Sequence, residues 1–312
     1  MPPLIKRLCI ICLTGMLFLC PSCGNSSPVP GGPEEDNTPA TVISTPAPLS
    51  PEELRHQLEV HYDIIVVFGN NDIYTLLFDY EPLTDKAMIQ KGLELLEAQL
   101  ARYPQGFFTG LRIDKTIPFH FIFSGNINNV FSQDRAGGVC TEANGMHIIL
   151  LFIDEGNWGR DWGGNFLPTG DPFMEYALHH EIGHAVDYII QRLSTGTPFS
   201  PDEWNRLLPP KFLYDDMLRL RLDDPFANVS TPDYVFAQSP GETYFYDRYS
   251  KVNLEENIAS LFGYAMCGNR PAQAMKSPHI QAQMRYYFPI IRNRFSDSSW
   301  PATTYWEEAL NF

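Results

Sequence analysis

Only two of the chain's six cysteines, Cys140 and Cys267, lie beyond residue 23. Neither belongs to a Cys-x-x-Cys pair, which excludes a thiolate zinc site in the body of the chain. They can form one disulfide or stay as two partly buried thiols, and spacing alone does not choose. Basic residues are scarce too. There are 22 Lys+Arg against 37 Asp+Glu, for a formal net charge of -15. So acidic a chain repels phosphate backbones, and nucleic acid is excluded as a partner. Beyond residue 19 no apolar run is long enough to cross a bilayer, a crossing that takes about 20 residues. No internal repeat is recognisable, which argues against solenoids and propellers.

The N-terminus carries what basic and apolar sequence the rest lacks. Lys6-Arg7 precede the apolar run Leu8–Leu19. That run is too short to span a membrane but suits the hydrophobic region of a signal peptide. Cys20-Pro21-Ser22-Cys23-Gly24 follows and resembles a bacterial lipoprotein signal, with Cys23 as the lipid-accepting residue. Cys20 departs from that pattern, since it stands where Leu is usual. Residues 24–50 are rich in Pro, Gly, Ser, Thr and acidic residues. Such a stretch cannot bury apolar surface and reads as an extended tether. The expected organisation is a signal over 1–23, a tether over 24–50 and a folded part over 51–312. The expected location is outside the cytoplasm, on the outer membrane of a Gram-negative cell and held by the lipid alone. Neither the membrane face nor the oligomeric state follows from the sequence.

The folded part reads as α+β, with an N-terminal lobe over about 51–193 and a mostly helical C-terminal lobe over about 194–312. Ser50 and Glu53 have capping-box spacing and start a helix. Ile64–Phe68 reads as a strand closed by Gly69-Asn70-Asn71. Thr84 is the expected cap of a second helix, striped by Ile89, Leu93, Leu96, Leu100 and Tyr103. Two further strands are expected at 117–123 and 147–153, separated by a loop rich in Gly and Asn. Strand 147–153 is a candidate to line a cleft and pair with an extended substrate, as edge strands do. Later helices are expected at 211–222, at Leu254–Met266 and within 271–294.

The chemistry is concentrated in His180-Glu181-Ile182-Gly183-His184, an H-E-x-x-H motif. Asp171-Pro172 suits a helix start. The apolar residues from Phe173 to Ile190 then predict a largely buried helix to about Leu193. Positions four apart share a helix face, so His180 and His184 can present two imidazole nitrogens to one ion. Glu181 adjoins the first ligand and can take a proton from a zinc-bound water, whose pKa falls to about 7. Burying two His and a Glu without partners is costly, and a metal removes that cost. His179 should point away from the metal. His120 and His147 alternate with apolar residues and read as satisfied or solvated side chains. Asp187, one turn past His184, is a candidate hydrogen-bond partner for a ligand imidazole.

Two His do not complete a catalytic zinc site, which usually has three protein ligands and a water. Position 190 is Ile, so the extended motif with a third His is excluded. The best remaining candidate is Glu256, at the start of the expected helix 254–266. Glu255 competes with it, because adjacent helical residues point in different directions and only one can face the metal. The competing reading takes both as first-turn acids that favour the helix dipole. Tyr249 has a case as a donor to the oxyanion that forms when a peptide carbonyl is attacked. It also fits an aromatic core cluster with Tyr244, Phe245 and Tyr246.

The segment His180-Glu-Ile-Gly-His-Ala-Val-Asp187-Tyr188 resembles the catalytic helix of the anthrax lethal factor family of zinc proteases. That family continues with a Tyr and then a segment of the form E-x-F-A. Aligning its alanine with Ala259 places the metal-binding Glu on Glu256 and the active-site Tyr on Tyr249. The wider layout, including Tyr103-Pro104-Gln105-Gly106, resembles zinc-binding metallopeptidases found among Gram-negative lipoproteins. The resemblance covers about residues 84–265, and its specific parts are the His180 and Glu256 segments. Ile258 replaces an aromatic residue, Ser260 replaces a position that is often acidic, and the intervening linker is longer.

The resemblance implies a gluzincin-type metallopeptidase with a zincin-like fold. Zn²⁺ would be held by His180, His184 and Glu256, with Glu181 as general base and Tyr249 at the oxyanion. Its substrate would be a protein or peptide. The rival expectation is a zinc-containing surface lipoprotein that binds glycan or protein without catalysis.

Overall fold

A computed structural model describes residues 49–69, 80–127, 137–153, 173–193, 199–215, 235, 240–268 and 272–311. The signal, Cys23 and almost all of the tether lie outside the described residues, as does Asp171-Pro172.

In the N-terminal half the elements are α1 (Pro51–Tyr62), β1 (Ile64–Val67), β2 (Tyr80–Pro82), α2 (Lys86–Leu100), α3 (Phe107–Gly110), β3 (Phe119–Ile127), β4 (Gly138–Ala143), β5 (Met146–Phe152) and α4 (Phe173–Tyr188). The C-terminal half adds α5 (Pro201–Asn205), α6 (Leu254–Met266), α7 (Ala272–Met275) and α8 (Pro278–Phe295). The chain is thus a mixed α/β protein with a small sheet and a helical C-terminal half.

The sheet runs β1-β3-β5-β4, and β2 pairs with the far half of β3. β1, β3 and β5 are parallel, while β2 and β4 are antiparallel to their neighbours. The side chains obey the two-residue period of strands. Phe119, Phe121, Phe123, Ile149 and Leu151 join the main core, while Ile122, Ile148, Leu150 and Phe152 form a second cluster on the other face. β5 is therefore buried on both faces, which explains its unbroken apolar run. It lies between β3 and β4, so it is no edge. Among the described residues the edge next to it is β4, formed where the Gly- and Asn-rich sequence suggested a loop. The β4–β5 turn uses Asn144 and Gly145, both with positive φ (51° and 80°).

Local signals set several boundaries. Ser50 and Glu53 form the expected capping box on α1. α2 is capped by Asp85 rather than Thr84, because the Asp85 side chain reaches the Met88 N–H at 2.9 Å. The expected stripe of α2 is buried in the main core. Residues 211–215 are a turn and irregular chain instead of the start of a helix, and the rest of that expected helix lies outside the described residues. α6 spans the expected residues and is capped by Asn253.

α4 is buried all round from Met174 to Asp187, as suits a helix enclosed by other elements. It passes into a π-helical turn at Ile189–Leu193. α4 packs closely on α6 because small residues face each other at the contact. A Cβ on Gly183 would stand 3.0 Å from Ala259 Cα. A Cβ on Gly263 would stand 3.2 Å from the His180 backbone and 3.1 Å from the Tyr176 ring. Arg102 ties the ends of these helices together, pairing with Glu175 of α4 and donating to the Met266 carbonyl of α6. Cys140 and Cys267 are both buried and are not bridged to each other. No helix among the described residues is long and apolar enough to cross a membrane.

Candidate metal centre

The contact between α4 and α6 brings three ligand atoms together. His180 Nε2 and His184 Nε2 are 3.0 Å apart, and each lies 3.2 Å from Glu256 Oε2. Four donors at zinc–ligand distances of 2.0–2.1 Å are separated by about 3.3 Å in a tetrahedron. The three separations and the donor types, two imidazoles and a carboxylate, therefore fit a divalent metal. Among the described residues this is the one His/Cys/Asp/Glu group with that capacity. Its members are buried, with His180 and Glu256 at 0% exposure.

Between Glu255 and Glu256 the structure is unambiguous. Glu256 points into the cluster, while Glu255 is half-buried outside it. The first turn of α6 is fixed by the Asn253 side chain, which accepts from the Glu256 N–H at 2.8 Å. The other oxygen of Glu256, Oε1, accepts from Tyr249 Oη at 2.8 Å. Tyr249 is buried in a 3₁₀ turn, Tyr249–Lys251, just before α6. Its ring centroid lies 6.0 Å from that of His180, so the phenol stands beside a candidate ligand.

The electrostatics follow from burial and proximity. Desolvation opposes charge on His184, but the Glu256 carboxylate beside it, helped by Glu181 and Asp187, raises its pKa to about 9. Desolvation holds His180 below the usual imidazole value. Burial works against the Glu256 anion, yet the two imidazoles hold its pKa well below the ordinary carboxylate range. The carboxylate thus favours a proton on His184.

Glu181 is fully buried and close enough to His184 for its charge to act there. Its side chain lies directly against β4. A Cβ on Gly138 would meet Glu181 Cγ at 2.8 Å, so a side chain at this strand position would displace Glu181.

The other histidines have separate roles. His179 faces α2, bound to Tyr103 Oη at 2.8 Å and Gln99 Oε1 at 3.2 Å. His120 and His147 use Nδ1 on the carbonyls of Pro118 and Leu111. Among the described residues Asp187 hydrogen-bonds no ligand imidazole and reaches His184 through its charge alone. It accepts instead from Tyr287 at 3.0 Å and from Gln191 at 2.7 and 2.8 Å, tying α4 to α8. Burial then raises its pKa to about 6.

Three residues assigned no part in the site on sequence grounds, Tyr176, Ser260 and Asp247, form a network behind the outer nitrogen of His180. Tyr176 Oη lies 3.0 Å from His180 Nδ1, 2.9 Å from Ser260 Oγ and 3.2 Å from Asp247 Oδ2. Spacing held part of this signal. Tyr176 is four before His180 and Ser260 four after Glu256, so each shares a helix face with a ligand. Asp247 gave no such sign, because it sits on an irregular segment.

No protein-family model, curated protein or solved structure matches the chain.

Proposed function

We propose that the protein is a zinc-dependent metallopeptidase with a zincin-like fold, exported and held at the membrane by a lipid on Cys23. The observation that carries the reading is the buried triad of His180, His184 and Glu256 with Glu181 in the adjoining position of α4. These three would hold the ion, and zinc suits an imidazole–carboxylate set better than a hard-oxygen metal does. When bound, zinc supplies Lewis acidity that makes water nucleophilic near neutral pH and polarises a carbonyl.

The residues of the chain account for the rest. Glu181 takes a proton from the attacking water and can return it to the leaving amine. Tyr249 can exchange its bond to Glu256 for one to the substrate oxygen as charge builds there. Among the described residues β4 is the sheet edge beside Glu181, and an extended peptide backbone can pair there. A non-catalytic zinc site would close its coordination with a fourth protein ligand, and among the described residues the cluster offers three.

Glu181→Gln is the test. It should retain zinc at the parent stoichiometry while hydrolysis of a broad peptide library falls by about 10²–10⁴-fold. A variant that cleaves as fast as the parent would remove Glu181 from the mechanism.

A further inference from the structure

We propose that Tyr176 and Asp247 form a positioning relay that fixes the proton of His180 on Nδ1 and so keeps Nε2 open as a metal ligand. The inference rests on the metal reading above.

The argument is one of proton counting. Asp247 is a buried carboxylate at the far end of the network. Its Oδ1 accepts from the Ser250 N–H and hydroxyl, both at 2.7 Å. Its Oδ2 faces Tyr176 Oη at 3.2 Å. Asp247 Oδ2, which can only accept and is also bonded by Tyr264, takes the single hydroxyl proton of Tyr176, while Ser260 Oγ at 2.9 Å is a hydroxyl with a proton of its own. The phenol oxygen is then left as an acceptor toward His180 Nδ1 at 3.0 Å. An imidazole that donates from Nδ1 carries its free lone pair on Nε2, the atom that faces His184 and Glu256. With the opposite tautomer, Tyr176 would have to donate to His180. Asp247 Oδ2 would lose that donor, and Nε2–H would point at the ion position. The relay is enclosed, with Tyr176 at 1% exposure and Ser250 and Ser260 at 0%, so water cannot replace a missing member cheaply.

The backbone supports the same assignment. Tyr176 and His180 are one turn apart on α4, and Ser260 is one turn beyond Glu256 on α6. The Gly263 contact lets α6 approach both Tyr176 and His180. The helices that converge to assemble the ligands also assemble the relay behind them.

The test uses the full chain and zinc alone, with affinity read by competition against a chelator. Tyr176→Phe keeps the ring and removes the relay hydroxyl. Asp247→Asn keeps the shape and removes the charge. Each should weaken zinc binding by about 10–100-fold. The double variant should bind within about threefold of Tyr176→Phe, because members of one chain do not contribute independently. In the zinc-loaded parent, imidazole NMR should show a hydrogen-bonded His180 Nδ1 proton that Tyr176→Phe alters while the His184 signals stay in place. Parent-like affinity in both single variants, or losses that multiply in the double variant, would overturn the relay and leave the metal site standing. A parent chain that takes up no zinc would instead overturn the metal reading itself. Should Tyr176→Phe fail to fold, the Asp247→Asn affinity and His180 spectrum decide the matter by the same criteria.

Discussion

Glu256 serves two sets of partners with its two oxygens. Oε2 faces the imidazoles and Oε1 accepts from Tyr249. The Tyr249 proton can be spent on Glu256 or on a substrate oxygen, but not on both at once. Tyr249→Phe therefore separates two roles. If the phenol acts on the developing oxyanion, kcat falls by about 10²–10³-fold and zinc affinity changes by less than tenfold. If it only steadies Glu256, zinc affinity falls and the zinc-saturated kcat is restored. Glycine 138 offers a second probe. Gly138→Ala drives a methyl group into Glu181 Cγ. Peptidase activity should drop by at least tenfold with zinc content unchanged, and an unchanged rate would show that Glu181 can shift without cost. That His180 and His184 meet was legible in the sequence because one helical turn relates them. Gly138 was not, since its meaning depends on β4 lying over α4, a contact between segments far apart in the chain.

The crossing of α4 and α6 depends on small residues at Gly183, Ala259 and Gly263. Gly263→Ala places a methyl group 3.2 Å from the His180 backbone, so the helices must part. Overpacking of this kind costs about 1–3 kcal/mol. The expected result is a lower Tm together with weaker zinc binding, read by calorimetry and chelator competition on the same sample. A fall in Tm with undiminished zinc affinity would mean that the crossing does not control the site. Elements with strong local signals were legible: the capping box of α1, the stripe of α2, the apolar periodicity of α4 and α6. β4 was hidden because its Gly, Thr, Glu and Ala residues suit a loop as well as an edge. The buried position of β5 could not be seen before its partners were known. The cap of α2 moved by one residue because Asp85, not Thr84, has the geometry to reach the Met88 N–H.

The buried triad links metal binding, protonation and folding across the protein. In the ion-free chain the His184 pKa is raised to about 9, so at neutral pH an incoming ion must displace one proton. Zinc affinity should rise about tenfold per pH unit up to about pH 9 and level off above it. Titration calorimetry in buffers of different ionisation enthalpy should show about one proton released per ion near pH 6, below the range in which a zinc-bound water ionises. No proton release would contradict the assigned charge state. Because the ion binds the folded site, saturating zinc should also raise Tm, by an amount that grows with the logarithm of its free concentration. The central claim is that His180, His184 and Glu256 share one ion. Its most direct test is the metal content of the purified full chain beside Glu256→Ala and His184→Ala, each after equilibration with one equivalent of zinc. The account predicts one zinc per parent chain and a large loss in both variants. A parent chain that stays folded without zinc uptake, or variants that hold zinc as tightly as the parent, would contradict it.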